Sequence, residues 1–346
     1  MPPPRERTTF SANTSRFNFE MRTPTGAGRL RTFIEGTSSG TDGAENRTNF
    51  RLRHAFAQFR GLIVGQTWST FSDPAADHQD LDFEGINGEN VIRQAQIRYT
   101  WQVRKDLSAG AAPSKRPRWP LTGGQGVNVV PDLVVRTIWS FREIGHLQAA
   151  VVLRADPRRA RSARDRRPLD VRLGASLSGV VPFHYFKLND RFIFQLNIGE
   201  GNARYINDLN SLGGQGQGQD AVFDPATGEL HALPAAGWYF DYEHQWKEWE
   251  RRETMKLRSS LIWSFVAVNN LDFQPGDAYR RTNRYSVEPR LLSDPANRLW
   301  RRVHLRHAHE PRRPVGPGEP SAVRWHLPLL ARVSWLPAFR IAEEAH

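Results

Sequence analysis

The chain has no cysteine, which excludes disulfide staples and thiolate metal sites and is compatible with an oxidising compartment. It also lacks a long apolar run. The clearest one is "LQAAVVL", Leu147–Leu153, whereas a spanning helix takes about 20 mostly apolar residues, so a transmembrane helix is excluded. The opening "MPPPRERTTF" shows no apolar core of a signal peptide. Signatures of chemistry are missing too. "GASLSG" does not have the spacing of a nucleophile elbow. "GGQGQGQD", Gly213–Asp220, is glycine-rich but lacks the Lys-Ser/Thr ending of a phosphate loop. His304, His307 and His309 match no zinc spacing. The expectation is no catalysis, no cofactor and no metal.

What is present is alternation. In "NFRLRHAFAQFRGLIVGQTWSTF", Asn49–Phe71, period 2 puts Phe50, Leu52, His54 and Phe56 on one face. Asn49, Arg51, Arg53 and Ala55 fall on the other. Arg60-Gly61 then turns the chain back into an antiparallel neighbour. "SRFNFEMR" sets Phe17, Phe19 and Met21 against Arg16, Asn18, Glu20 and Arg22. Similar patterns recur in "DVRLGASLSG", "RFIFQLNIG" and "MKLRSSLIWSF". The chain reads as all-β over its 346 residues, which suffice for one large barrel or two ordinary domains.

The net charge of +12 points to nucleic acid only if it is evenly spread, and it is not. Residues 105–172 hold 14 basic and 6 acidic side chains, and 280–346 hold 13 and 6. These are also the parts with least pattern; 105–130, 154–169 and 287–346 are poorly patterned. Connections alternate in length: Thr23–Gly28 and Arg60-Gly61 are short, while Thr37–Arg47 and Phe71–Asn90 are long. Outer-membrane barrels have short turns at one end and long loops at the other. Alternation by itself also fits a soluble sheet with one face on a core. Trp238, Phe240 and Tyr242 share one face, and Trp101, Trp139 and Trp263 fall near strand ends, as in an aromatic girdle or in ordinary packing.

"GQTWSTF", Gly65–Phe71, with "LDFEGINGENVIRQAQIRYTW", Leu81–Trp101, and "SRFNFEMRTPTGAGRLRTFIEG", Ser15–Gly36, resembles the DcaP-like trimeric outer-membrane porins. The resemblance implies a single porin-type domain over 1–346, a transmembrane antiparallel β-barrel with sixteen strands in the family. It implies a homotrimer in outer-membrane lipid and lipopolysaccharide, passing small anionic solutes, dicarboxylates among them, by passive diffusion. No nucleic-acid partner is expected. Family members carry a signal peptide and at least one strand before the counterpart of Ser15–Arg22. This chain reads as a truncated, diverged or frame-disturbed copy, with fewer strands or an incompletely closed barrel. On this reading Arg29, Arg31, Arg51, Arg53 and Arg98 form a basic wall inside the pore. Phe71–Asn90 is then the third outer loop, which folds inward in trimeric porins, and its Asp73, Asp77, Asp80, Asp82, Glu84 and Glu89 face that wall. Arg93, on the other parity from Arg98, belongs at a rim or subunit contact. Two other readings stay open: a soluble basic β-protein that binds nucleic acid, and an outer-membrane β-barrel enzyme.

Overall fold

A computed structural model describes residues 15–41, 48–77, 85–115, 120–121, 124–125, 130–141, 145–156, 170–183, 190–209, 220–224, 226–227, 230–246, 255–274, 278–293, 302–305 and 331–334. His307, His309, Asp80, Asp82 and Glu84 lie outside these residues, as does the side chain of His304. Among the described residues no helix is long and apolar enough to cross a membrane.

The strands in chain order are β1 Arg16–Thr25, β2 Gly28–Thr41, β3 Thr48–Phe59, β4 Leu62–Trp68, β5 Arg93–Gln102, β6 Leu107–Ser114, β7 Pro120–Leu121, β8 Gly124–Gln125, β9 Asp132–Phe141 and β10 Gly145–Asp156. They continue as β11 Asp170–Phe183, β12 Asp190–Glu200, β13 Ala221–Phe223, β14 Leu230–Ala232, β15 Pro234–Trp246, β16 Met255–Val268, β17 Arg281–Ser293, β18 Arg302–Leu305 and β19 Ala331–Ser334. Thirteen of them form one sheet in the order β1-β2-β3-β4-β5-β6-β9-β10-β11-β12-β15-β16-β17, and β7-β8, β13-β14 and β18-β19 are two-stranded ribbons. The sheet is antiparallel at every joint, and neighbours in space are neighbours in sequence once the ribbons are set aside. A hydrogen-bonded ladder satisfies the backbone of every strand that has a neighbour on both sides without water, which a lipid-facing chain requires.

The faces decide which side is inside. Gln148, Ser178, Gln195, Asn197, Ser260 and Ser264 are buried, whereas Phe17, Ile97, Leu173, Ile198, Leu261 and Val287 are exposed. A soluble sheet would bury the second set and expose the first. The inversion is that of a barrel wall, apolar outward and polar inward. Leu52 is exposed, and Leu30 and Leu257 share the outward face through their cross-strand partners Thr23 and Trp246. Outward aromatics touch across strands: Trp238 stacks on Phe265, and Trp263 lies between Phe240 and Tyr285.

Connections at one end are 26–27, 60–61, 103–106, 142–144, 184–189 and 247–254, and those at the other end include the much longer 69–92 and 201–233. Two neighbouring short turns are tied together. Arg60, in the left-handed region at φ 53°, donates from Nε and Nη2 to Ala27 O at 2.9 and 2.6 Å.

Three details depart from a plain reading of period 2. The β2–β3 register shifts between Glu35 and Gly36, because β3 carries one extra residue there. A bulge of this kind reverses the faces beyond it. Phe56 and His54 therefore point inward with Phe33, whereas Leu52 and Phe50 point outward, so these four residues do not share one face. Next, β6 runs through the weakly patterned stretch 105–130. Finally, β17 continues to Ser293 and contains Pro289. Among the described residues it is an edge strand, where a proline's missing donor is tolerated.

Candidate functional site

The inward face of β1–β5 is basic. Arg22 and Arg31 are opposite each other, and Arg16 and Arg51 both lie opposite Thr37. Acids on the same strands temper them. Glu20 accepts from Arg31 at 2.9 Å and from Arg22, and Glu35 accepts from Arg53 at 2.7 Å. Arg31 also lies 5.4 Å from the ring centres of both Phe33 and Phe56, a cation–π arrangement. Arg51 is exposed, and neither it nor Arg98 pairs with an acid among the described residues. Arg98 faces inward beside Arg136 of β9, whose Nη1 reaches Gln148 Oε1 at 3.5 Å. Arg29 is exposed beside the β1–β2 turn. Arg93 takes the outward parity and stacks 3.7 Å from the centre of Trp68.

The described parts of the β4–β5 connection, 69–77 and 85–92, fold against the inner face of the opposite wall. Asp73 Oδ2 accepts from Ser178 Oγ at 2.7 Å, and His146 Nε2 lies 2.9 Å from the same oxygen. Gln148 Nε2 donates to Ser72 O, Asn90 N donates to Gln195 Oε1, and Asn197 Nδ2 donates to Gly88 O. Tyr239 OH donates to Ala76 O, and Arg284 Nη1 to Gly85 O. Below these bonds Ala76 and Ile86 pack with Val180, Ile193, Tyr239 and Ile262, and Phe71 packs with Val134, Ala150 and Val152. Of the loop acids, Asp73 is buried and feels the charge of Arg136. Asp77 is exposed and near enough to Arg16 to interact through space, and Glu89 is buried. Ser178 and His146 both reach Asp73 and not each other, so this group forms no nucleophile–base pair.

A second inward feature was not legible in the sequence. Arg154 donates to Asp132 at 3.3 Å and to Asp220 at 2.9 Å. Arg204 Nη2 donates to Asp132 Oδ2 at 2.8 Å, and Tyr205 OH to the same oxygen at 2.9 Å. Burial, and then the nearby Asp132 carboxylate, push the Tyr205 phenol up to about 12, so it stays a donor. Two arginines and two aspartates balance. Removing one member of such a buried set costs about 3–5 kcal/mol, because its partner is left charged and unpaired.

Residues 5–115 match the family model described as a porin subfamily. The crystal structure of the outer membrane channel DcaP of Acinetobacter baumannii superposes with a TM-score of 0.66 at 17% identity, over 85% of this chain and 78% of that one. The fold is that of a DcaP-like porin. The in-vitro folded outer membrane protein OmpT of Vibrio cholerae aligns at 10% identity over 86% of this chain and 79% of that one, with a TM-score of only 0.46. No curated protein matches the chain.

In this porin fold the β4–β5 loop is held by a carboxylate whose ionisation matters. Burial pushes the Asp73 carboxyl up, but hydrogen bonds from His146, Ser178 and the Ala75 amide outweigh it and hold it below its ordinary value of 3.8. A lowered value in the folded state stabilises the loop above the unfolded value, and that stabilisation is lost as pH falls through the folded one. In a planar bilayer, conductance is expected to become noisier or larger as pH falls below about 4. Asp73→Asn is expected to remove that acid dependence. Single-channel recordings across this range check it; an unchanged acid response in the variant counts against the loop anchor.

Proposed function

We propose that the protein is an outer-membrane porin through which small anionic solutes, dicarboxylates among them, pass by passive diffusion, working as a homotrimer without catalysis. The observation that carries this reading is the asymmetry of the lumen. Arg16, Arg31, Arg51, Arg53, Arg98 and Arg136 face inward on one wall, and the β4–β5 loop covers the other. Charge of one sign along a water passage with low-dielectric walls concentrates the opposite ion. Glu20 and Glu35 neutralise only part of the wall, so it stays positive.

The basic wall is also why nucleic acid is not the preferred partner. These arginines are inside a curved sheet, while the outside carries Phe17, Ile97, Leu261 and Val287, which suit lipid and not phosphates.

The test is reconstitution in a planar bilayer with a salt gradient. The expected reversal potential has the sign of an anion-preferring channel, and a dicarboxylate is expected to carry current. A cation-preferring reversal potential would overturn the proposal. A gel shift on boiling a detergent extract is expected for the trimer.

A further inference from the structure

The long β12–β15 connection begins with Gly201–Leu209, and every residue from Gly201 to Asn207 is buried. It turns inward just as the β4–β5 loop does. Ile206 and Leu209 pack against Ala235, Val266 and Val268 of the inner wall. The segment is also fastened to the first loop: Asn207 N donates to Glu89 O at 2.6 Å and Asn207 Nδ2 to Ile86 O at 3.2 Å. Tyr205 meets Phe71 edge to face with ring centres 5.0 Å apart, and Gln94 Nε2 donates to its hydroxyl.

Behind the segment stands the Asp132–Arg154–Arg204–Asp220 cluster. The Arg204 amide donates to Asp220 Oδ1 at 3.0 Å, Gly201 N to Leu233 O, and Leu233 N to Asp220 O. The cluster thus binds the end of β10, the start of β9 and the connection into one unit. A loop fastened at both its backbone and its side chains has a single position.

We infer that Gly201–Leu209 is a second constriction element, interlocked with the β4–β5 loop, and that Arg204 and Tyr205, whose side chains are buried beneath it, hold it at the position that sets the width of the passage while the arginine wall sets its charge preference. The inference rests on the reading of the chain as a porin. It separates two properties that a single constriction loop would combine, since neither Arg204 nor Tyr205 belongs to the basic wall of β1–β5.

The experiment compares the full chain with Arg204→Ala and Tyr205→Ala in planar bilayers. Conductance, the size cutoff for neutral polyethylene glycols and the reversal potential are read for each. Arg204→Ala is expected to raise conductance by about twofold, because the narrowest cross-section limits conduction, and to admit larger polymers. Tyr205→Ala is expected to act in the same direction; it leaves the arginines and aspartates balanced and so decides the matter if the Arg204 variant does not fold. For Tyr205→Ala, which changes no charge, the reversal potential is expected to stay with the parent's. Parent-like conductance and cutoff in folded Tyr205→Ala would overturn the inference. A parent that forms no channel would instead overturn the porin reading on which it rests.

Discussion

Replacing Arg51 and Arg53 together with alanine is expected to lower the anion-to-cation permeability ratio by about tenfold at low salt. Two unit charges 4 Å apart interact by about 1 kcal/mol in bulk water and by about 4 kcal/mol at an effective dielectric of 20, and a confined passage lies between these limits. The structure adds a second contribution. Arg53 is the partner of Glu35 at 2.7 Å, so its removal uncovers a carboxylate on the same wall and repels the anion that Arg51 would have attracted. Arg51→Ala alone is expected to have the smaller effect. Salt will weaken both, since the screening length is about 10 Å at 0.1 M and about 3 Å at 1 M. The measurement is the reversal potential under a salt gradient at both ionic strengths. A double variant that keeps the parent's preference at low salt shows that the selective part of the passage is elsewhere.

Gly88→Ala is expected to unseat the β4–β5 loop. Gly88 has φ +77°, and a Cβ there would lie 2.4 Å from Phe265 O, 2.7 Å from Trp238 N and 2.9 Å from Trp238 O. These atoms are the backbone of two paired strands and cannot give way. A left-handed non-glycine residue costs about 1–2 kcal/mol, and overpacking a tight site adds about 1–3 kcal/mol. The loop is then expected to lift, with loss of the Asn197-to-Gly88 hydrogen bond, a lower temperature for the gel shift on heating, and a larger conductance. Gly26→Ala is the control, because nothing lies within 4 Å of its Cβ. If both variants melt and conduct like the parent, the loop is not seated as described.

Much of the wall was legible because its physical cause is local. Phe17, Phe19 and Met21 alternate with Arg16, Asn18 and Glu20 in the sequence, and the strand keeps that order. The reversal at Arg53 was not legible, because a bulge is a property of two strands in register and not of one. Glu20 and Glu35 were visible in the pattern, yet their role depends on which arginine lies across the strand pair. The second inward segment was hidden for a different reason. "GNARYIND" has no periodicity, and Arg204 and Asp132, which hold it, are 72 residues apart. The inward fold of the first loop could be expected from its place after β4, but its anchors on His146 and Ser178 could not.

The thirteen-stranded sheet has a consequence for how it can be sealed. Every joint among the described residues reverses direction, so the first of these strands, β1, and the thirteenth, β17, run the same way along the wall. Brought edge to edge they would make a parallel joint, which a porin-type barrel does not contain. The seam therefore accepts an odd number of additional strands, and a single one would run from the short-turn end towards the long-loop end. Copies inserted side by side cannot lend each other β1 or β17 for this purpose, because all of them point alike. A closed barrel built on this sheet has to be zipped by a strand of the opposite heading.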